Sequence, residues 1–84
     1  MKVRIMTPQY ILFEGEAQEV ILPGEDGELS VWDFHQPCVY SLRAGQVKLK
    51  SVAFGGGGKQ EKRFPVKKGL VKLLGNELAI LVEI

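Results

Sequence analysis

The residues most able to do chemistry in this chain sit in three stretches. The first is Gly55–Gly58 followed by Lys59, which has the look of a phosphate-cradling loop. Such a loop needs a Gly about six residues ahead of the Lys, a Ser or Thr behind it for magnesium, and a helix whose N-terminus receives the phosphate. Ala53 and Gln60 hold those two positions, and Phe64-Pro65-Val66 downstream is strand-like. The run therefore reads as a flexible hairpin tip. The second stretch is the acidic cluster Glu25, Asp26 and Glu28. A calcium loop spreads oxygen ligands over about twelve residues and ends in a bidentate Glu. Asp33 falls within reach, but Phe34, Gln36, Pro37 and Cys38 do not complete that pattern. A two-carboxylate hydrolase needs a cleft between its acids, and 84 residues leave little volume for one. The cluster reads as a solvated loop or one that meets a partner.

The third stretch runs from Trp32 to Cys38 and holds Trp32, Phe34 and His35 just before Pro37. Aromatics outside a clean core pattern supply interface area with few rotors to freeze, while a His beside a Pro commonly just ties down a loop. His35 is the only histidine and Cys38 the only cysteine. Triads and zinc sites that need several imidazoles or thiolates are excluded, as is an internal disulfide; a lone thiol fits a reducing compartment. No nucleophile–base pair emerges, so the sequence points to no catalytic residue, no metal and no cofactor.

Net charge of +1 conceals a split: residues 1–40 sum to −5 and residues 41–84 to +6. A barrel that binds single-stranded nucleic acid is the alternative reading for a short all-β chain with a basic half. It would interleave aromatics with basic groups. Here Tyr10, Phe13, Trp32, Phe34 and Tyr40 lie in the acidic half, and Lys48, Lys50, Lys67, Lys68 and Lys72 in the basic one. That segregation counts against nucleic acid.

The elements that must position these groups are strands. Gly and Pro recur so often that no stretch free of both exceeds nine residues, shorter than an average helix of about 11–12. Strands of about 5–6 residues fit between the breakers. Leu78, Ile80, Val82 and Ile84 share one parity, Val47 and Leu49 alternate with Lys48 and Lys50, and Val3 and Ile5 alternate with Lys2 and Arg4. Period two with one polar face predicts an antiparallel sheet half exposed to water, with strands over 2–6, 10–14, 17–22, 28–32, 39–42, 46–54, 60–67, 70–74 and 77–83. Gly75-Asn76 predicts a tight hairpin. Pro23-Gly24-Glu25-Asp26-Gly27 predicts a loop, its breakers too dense for a strand. The length allows one domain, 1–84, with a thin core that gains from partner contacts. No run approaches the roughly 20 apolar residues of a membrane span, and the N-terminus lacks the apolar segment of a signal peptide.

Several short motifs, taken in order, resemble the epsilon subunit of the rotary ATP synthase, called delta in mitochondria. They are Thr7-Pro8, Phe13-Glu14-Gly15-Glu16, Val20 through Leu29, Val31 followed by His35-Gln36-Pro37, Leu42-Arg43-Ala44-Gly45-Gln46-Val47, and Gly69 through Glu83. The chain departs from the family at Trp32-Asp33-Phe34, often Leu-Pro-Gly, and at Lys68-Gly69, usually a double Gly. Family members usually continue into a helical hairpin that can inhibit ATP hydrolysis; these 84 residues end at Ile84 and are not expected to supply that regulation.

The resemblance implies a flattened antiparallel β-sandwich of about ten short strands. It implies a non-catalytic central-stalk role at the cytoplasmic face of the bacterial inner membrane, peripheral to it, coupling proton flow to ATP synthesis. The implied partners are the gamma subunit and the polar loops of the membrane c-ring, with no nucleic acid. By position, Glu25, Asp26 and Glu28 are expected to face the c-ring, and Thr7, Trp32, Phe34 and His35 to face gamma.

Overall fold

The computed structural model of the chain describes residues 1–32, 36–52 and 59–84. Phe34, His35 and the expected glycine tip at 55–58 lie outside the described residues. Within them there are nine strands and no helix: β1 (Lys2–Met6), β2 (Ile11–Glu16), β3 (Glu19–Gly24), β4 (Gly27–Trp32), β5 (Cys38–Leu42), β6 (Gly45–Val52), β7 (Lys59–Val66), β8 (Lys68–Leu74) and β9 (Glu77–Glu83).

Period-two alternation puts one face of each strand inside. Leu78, Ile80 and Val82 of β9 are buried while Glu77, Leu81 and Glu83 are exposed. Val3 and Ile5 of β1, Val47 and Leu49 of β6, and Val71 and Leu73 of β8 join them in one core. The fully buried side chains are all Val, Leu or Ile, so the centre of the core is aliphatic.

Two layers form because one long sheet nearly parts in the middle. The hydrogen-bonded order is β2-β1-β9-β8-β5-β3-β6-β7, with β4 on the far side of β3. Between β5 and β3 the register holds at a single pair, Leu42 with Gly24. The first layer is therefore β2-β1-β9-β8-β5 and the second β4-β3-β6-β7. All ladders are antiparallel except that of β1 with β9, which is parallel. Edge strand β7 carries Pro65 and the charges Glu61, Lys62 and Arg63, features that discourage pairing with another chain.

The Gly75-Asn76 turn forms as expected, with Leu74 opposite Glu77 and Gly75 at φ +63°. The stretch 23–27 corrects the expectation of a loop. Pro23 and Gly24 belong to β3, Gly27 begins β4, and only Glu25 and Asp26 form the turn. The glycines let the two strands approach instead of breaking them: a Cβ on Gly24 would stand 2.7 Å from the Gly27 carbonyl oxygen. Pro23 is tolerated because β3 leaves the β6 ladder after Ile21. Its missing N–H points to the side where its carbonyl accepts the Arg43 N–H at 2.9 Å, beyond the end of that ladder.

The N-terminus is also part of the fold. The Met1 ammonium is buried, donates to the Ala17 carbonyl at 2.8 Å and lies 3.6 Å from the Glu16 carboxylate.

Candidate partner-docking surfaces

The acidic cluster is held at one end of the sandwich. Glu25 and Asp26 are the exposed turn, and Glu28 is exposed on β4 opposite Pro23. The turn is braced from the first layer, since the Glu25 N–H donates to the Ser41 carbonyl at 3.1 Å. A hollow of about 330 Å³ beside it is lined by Pro8, Glu25, Ser41, Lys68 and Glu83 among others. Lys68 and Glu83 pair there at 3.7 Å. None of the three acids has an ion-pair partner among the described residues, so their charge is presented to solvent.

Thr7 stands at this same end. Its side chain is buried in a turn of its own making: the hydroxyl donates to the Tyr10 carbonyl and accepts from the N–H groups of Gln9 and Tyr10 at 3.2 and 3.1 Å. With the Thr7 N–H also bonded to the Tyr10 carbonyl, Thr7 offers a partner the shape of this turn, with Tyr10 exposed on it, while its hydroxyl is fully engaged. Replacing Thr7 by Val deletes the three hydroxyl bonds, keeps the backbone bond from the Thr7 N–H, and leaves two backbone donors without their acceptor. The expected loss is about 1–3 kcal/mol, read as a lower thermal midpoint, with Thr7→Ser close to wild type.

Trp32 lies at the opposite end, 58% exposed. Along the ladders it shares a row with Glu19, Lys50 and Glu61 on the outer face of the second layer. The structure thus brings Thr7 to the acidic turn and separates it from Trp32. It also undoes the segregation of aromatics from basic residues: Trp32 and Lys50 line one small hollow, and the Lys62 ammonium lies 5.2 Å from the Phe13 ring centre. Basic groups on that outer face are nonetheless balanced by acids. Arg63 pairs with Glu61 at 3.1 Å, and Glu19, which accepts from the Ser30 hydroxyl, lies between Trp32 and Lys50 in register.

Sequence pattern alone does not disclose a feature of the opposite face. Outward-pointing Leu70 of β8, Leu81 of β9, Met6 of β1 and Ile11 of β2 are direct cross-strand neighbours and form one row. Leu70, Leu81 and Ile11 are 52%, 45% and 56% exposed. Val39 on β5 adjoins the row across a hollow of about 240 Å³ that it lines with Met6, Leu70, Lys72, Ala79 and Leu81. No helix among the described residues is long and apolar enough to cross a membrane.

Comparison with known proteins supplies the family. The family model for the ATP synthase delta/epsilon chain beta-sandwich domain matches residues 1–84. The ATP synthase epsilon chain of Chlorobium limicola is 34% identical over 82 residues, covering 98% of this chain and 88% of that one. That of Gloeothece citriformis is also 34% identical over 82 residues, but this chain spans only 55% of its length. For the Brevibacillus brevis epsilon chain the values are 30% identity and 59% of its length. Among solved structures, a chain of the Euglena gracilis mitochondrial ATP synthase superposes with TM-score 0.80 at 15% identity over 95% of this chain and 48% of that one. A chain in the central stalk and c-ring structure of the Tetrahymena thermophila enzyme gives TM-score 0.71 at 20% identity, with 99% and 63% covered. The structural likeness speaks for the fold, and the sequence match for the family: this chain belongs to the ATP synthase delta/epsilon chains, and its 84 residues form their β-sandwich domain.

Proposed function

We propose that the domain is a non-catalytic part of the rotor in a proton-translocating ATP synthase. It links the gamma subunit to the polar loops of the c-ring at the cytoplasmic face of the membrane, and the whole complex, not this domain, carries the chemistry. The observation that carries the ring contact is the Glu25-Asp26 turn: exposed, without ion-pair partners among the described residues, and braced by both layers at the sandwich's end. A rigid acidic projection suits a basic loop, because charge complementarity steers encounter and fixes orientation. The residues expected against gamma remain Thr7, Trp32, Phe34 and His35, with Thr7 and Trp32 at opposite ends of the sandwich.

The test reverses the charge with Glu25→Lys, Asp26→Lys and Glu28→Lys together. Exposed charges contribute only about 0–1 kcal/mol to folding, so the melting temperature should hardly move. Binding to isolated gamma should also hold. Rebinding of the soluble sector to stripped membranes should fall by about tenfold or more, since like charges placed opposite each other cost several kcal/mol. Rebinding at the wild-type level would remove the turn from the ring contact.

A further inference from the structure

The end of the sandwich that carries the acidic turn also carries a corner of opposite charge. β5 ends at Leu42 and β6 begins at Gly45, so Arg43 and Ala44 form the corner between them, and Arg43 is exposed. Backbone bonds strap this corner to the acidic turn. The Arg43 N–H donates to the Pro23 carbonyl at 2.9 Å and the Glu25 N–H to the Ser41 carbonyl at 3.1 Å, on either side of the Gly24–Leu42 pair. Gly45 packs so closely on Pro23 that a Cβ there would stand 2.7 Å from the proline Cβ. Corner and turn are therefore held as one body. In this register Glu25 and Arg43 are diagonal neighbours, about 7–8 Å apart. Their side chains are long enough to meet, yet no ion pair joins them, and Arg43 has none with any described residue. Lys67 is exposed in the turn after Val66, which stands opposite Gly45, and it too has no ion pair among the described residues. Lys68 beside it is already answered by Glu83.

We propose that Arg43, supported by Lys67, is a basic pole of the ring contact and meets a carboxylate on the polar loops of the c-ring, beside the basic group that meets the acidic turn; the proposal rests on the rotor reading above. The charge balance of this end requires it. Its acids without ion pairs are Glu25, Asp26 and Glu28, and its bases without ion pairs are Arg43 and Lys67. A uniformly basic loop surface would be repelled by the two bases nearly as much as it is drawn by the three acids. The acidic turn is effective only if the bases beside it find carboxylates. Since a ring repeats one subunit, each loop supplies both signs, and neighbouring loops can engage the two poles together. The second pole also adds orientation. A contact of one sign leaves the domain free to pivot about it, whereas two opposite charges on one rigid body fix the direction in which it sits, because a turned domain sets like charges against each other. An anionic lipid surface suits this end less well, since the three acids would face the lipid headgroups as well.

The experiment reassembles the soluble sector with each variant and measures rebinding to stripped membranes, with thermal melting and binding to isolated gamma alongside. Arg43→Glu should weaken rebinding by about tenfold and leave gamma binding within about twofold, while Arg43→Lys should stay close to wild type. Should Arg43→Glu melt early, Arg43→Gln takes its place, with a loss of about threefold. The decisive variant exchanges the poles: Glu25→Arg with Arg43→Glu keeps the net charge. If net charge alone governed the contact, the exchange would restore wild-type rebinding; with two placed poles it should rebind no better than Arg43→Glu. Wild-type rebinding by a folded Arg43→Glu variant, or by the exchanged pair, overturns the assignment. Loss of gamma binding in Arg43→Glu would give Arg43 to gamma instead. Wild-type domain that binds protein-free vesicles of anionic phospholipid, and loses that binding in Arg43→Glu, would give the corner to lipid and also overturn it. A wild-type sector that does not rebind at all would overturn the rotor reading and this pole with it, a result distinct from a silent Arg43 variant.

Discussion

Ile80→Ala should come close to unfolding the domain, whereas Leu81→Ala, one residue on, should leave its stability nearly untouched. Ile80 is fully buried in the middle of β9, opposite Ile5 of β1 and Val71 of β8. Truncating a buried Ile removes its transfer free energy and leaves a cavity, together about 2–5 kcal/mol. A domain of this length has only about 4–13 kcal/mol in all, at roughly 0.05–0.15 kcal/mol per residue. Leu81 points outward and is already 45% exposed, so its truncation should cost within about 0.5 kcal/mol. Urea unfolding of the two variants makes the comparison. Equal losses would mean that β9 does not present alternating faces to core and solvent.

The same pair of residues shows what can be read from sequence and what cannot. In β9 and β6, charged residues mark the outer parity, so the buried set follows from spacing alone: Leu78, Ile80 and Val82, then Val47 and Leu49. In β8 Lys68 and Lys72 mark the outer parity too, which leaves Val71 and Leu73 as core, but the lysines share that parity with the apolar Leu70 and Leu74. Local pattern does not say what those two exposed leucines adjoin. The outer apolar row becomes visible only when register joins Leu70 to Leu81 and Met6. Register between distant strands is likewise not written in local pattern. The parallel pairing of β1 with β9, and the separation of Thr7 from Trp32, both follow from which strands pair and in which direction. The acidic residues are legible because charge is a local property. Their support is not, because Pro and Gly read locally as breakers, whereas Gly24 and Gly27 serve here to bring two strands together.

Gly24→Asn should destabilise the domain strongly, whereas Gly75→Asn should be nearly neutral, although both replace a glycine beside a tight turn. At Gly75 the constraint is conformational. Its φ is +63°, and a Cβ there would meet nothing within 4 Å; Asn visits this left-handed conformation at little cost. At Gly24 the constraint is space. A Cβ there would lie 2.7 Å from both the Gly27 carbonyl oxygen and the Leu29 Cδ2. The carbonyl is backbone within the Gly24–Gly27 pair, so relief requires opening the top of the β3–β4 ladder. Overpacking of this kind costs about 1–3 kcal/mol. Gly24 also makes the single register pair with Leu42 that joins the two layers, and the next residue, Glu25, bonds across to Ser41. Opening the ladder therefore loosens the acidic turn along with the seam. Two readouts separate the cases: thermal melting, where Gly24→Asn falls and Gly75→Asn holds, and amide exchange at Glu25, which should quicken only in Gly24→Asn. Exchange at Glu25 that stays slow in Gly24→Asn would show that the turn is braced without the close approach of its two strands, and that Gly24 could be any small residue.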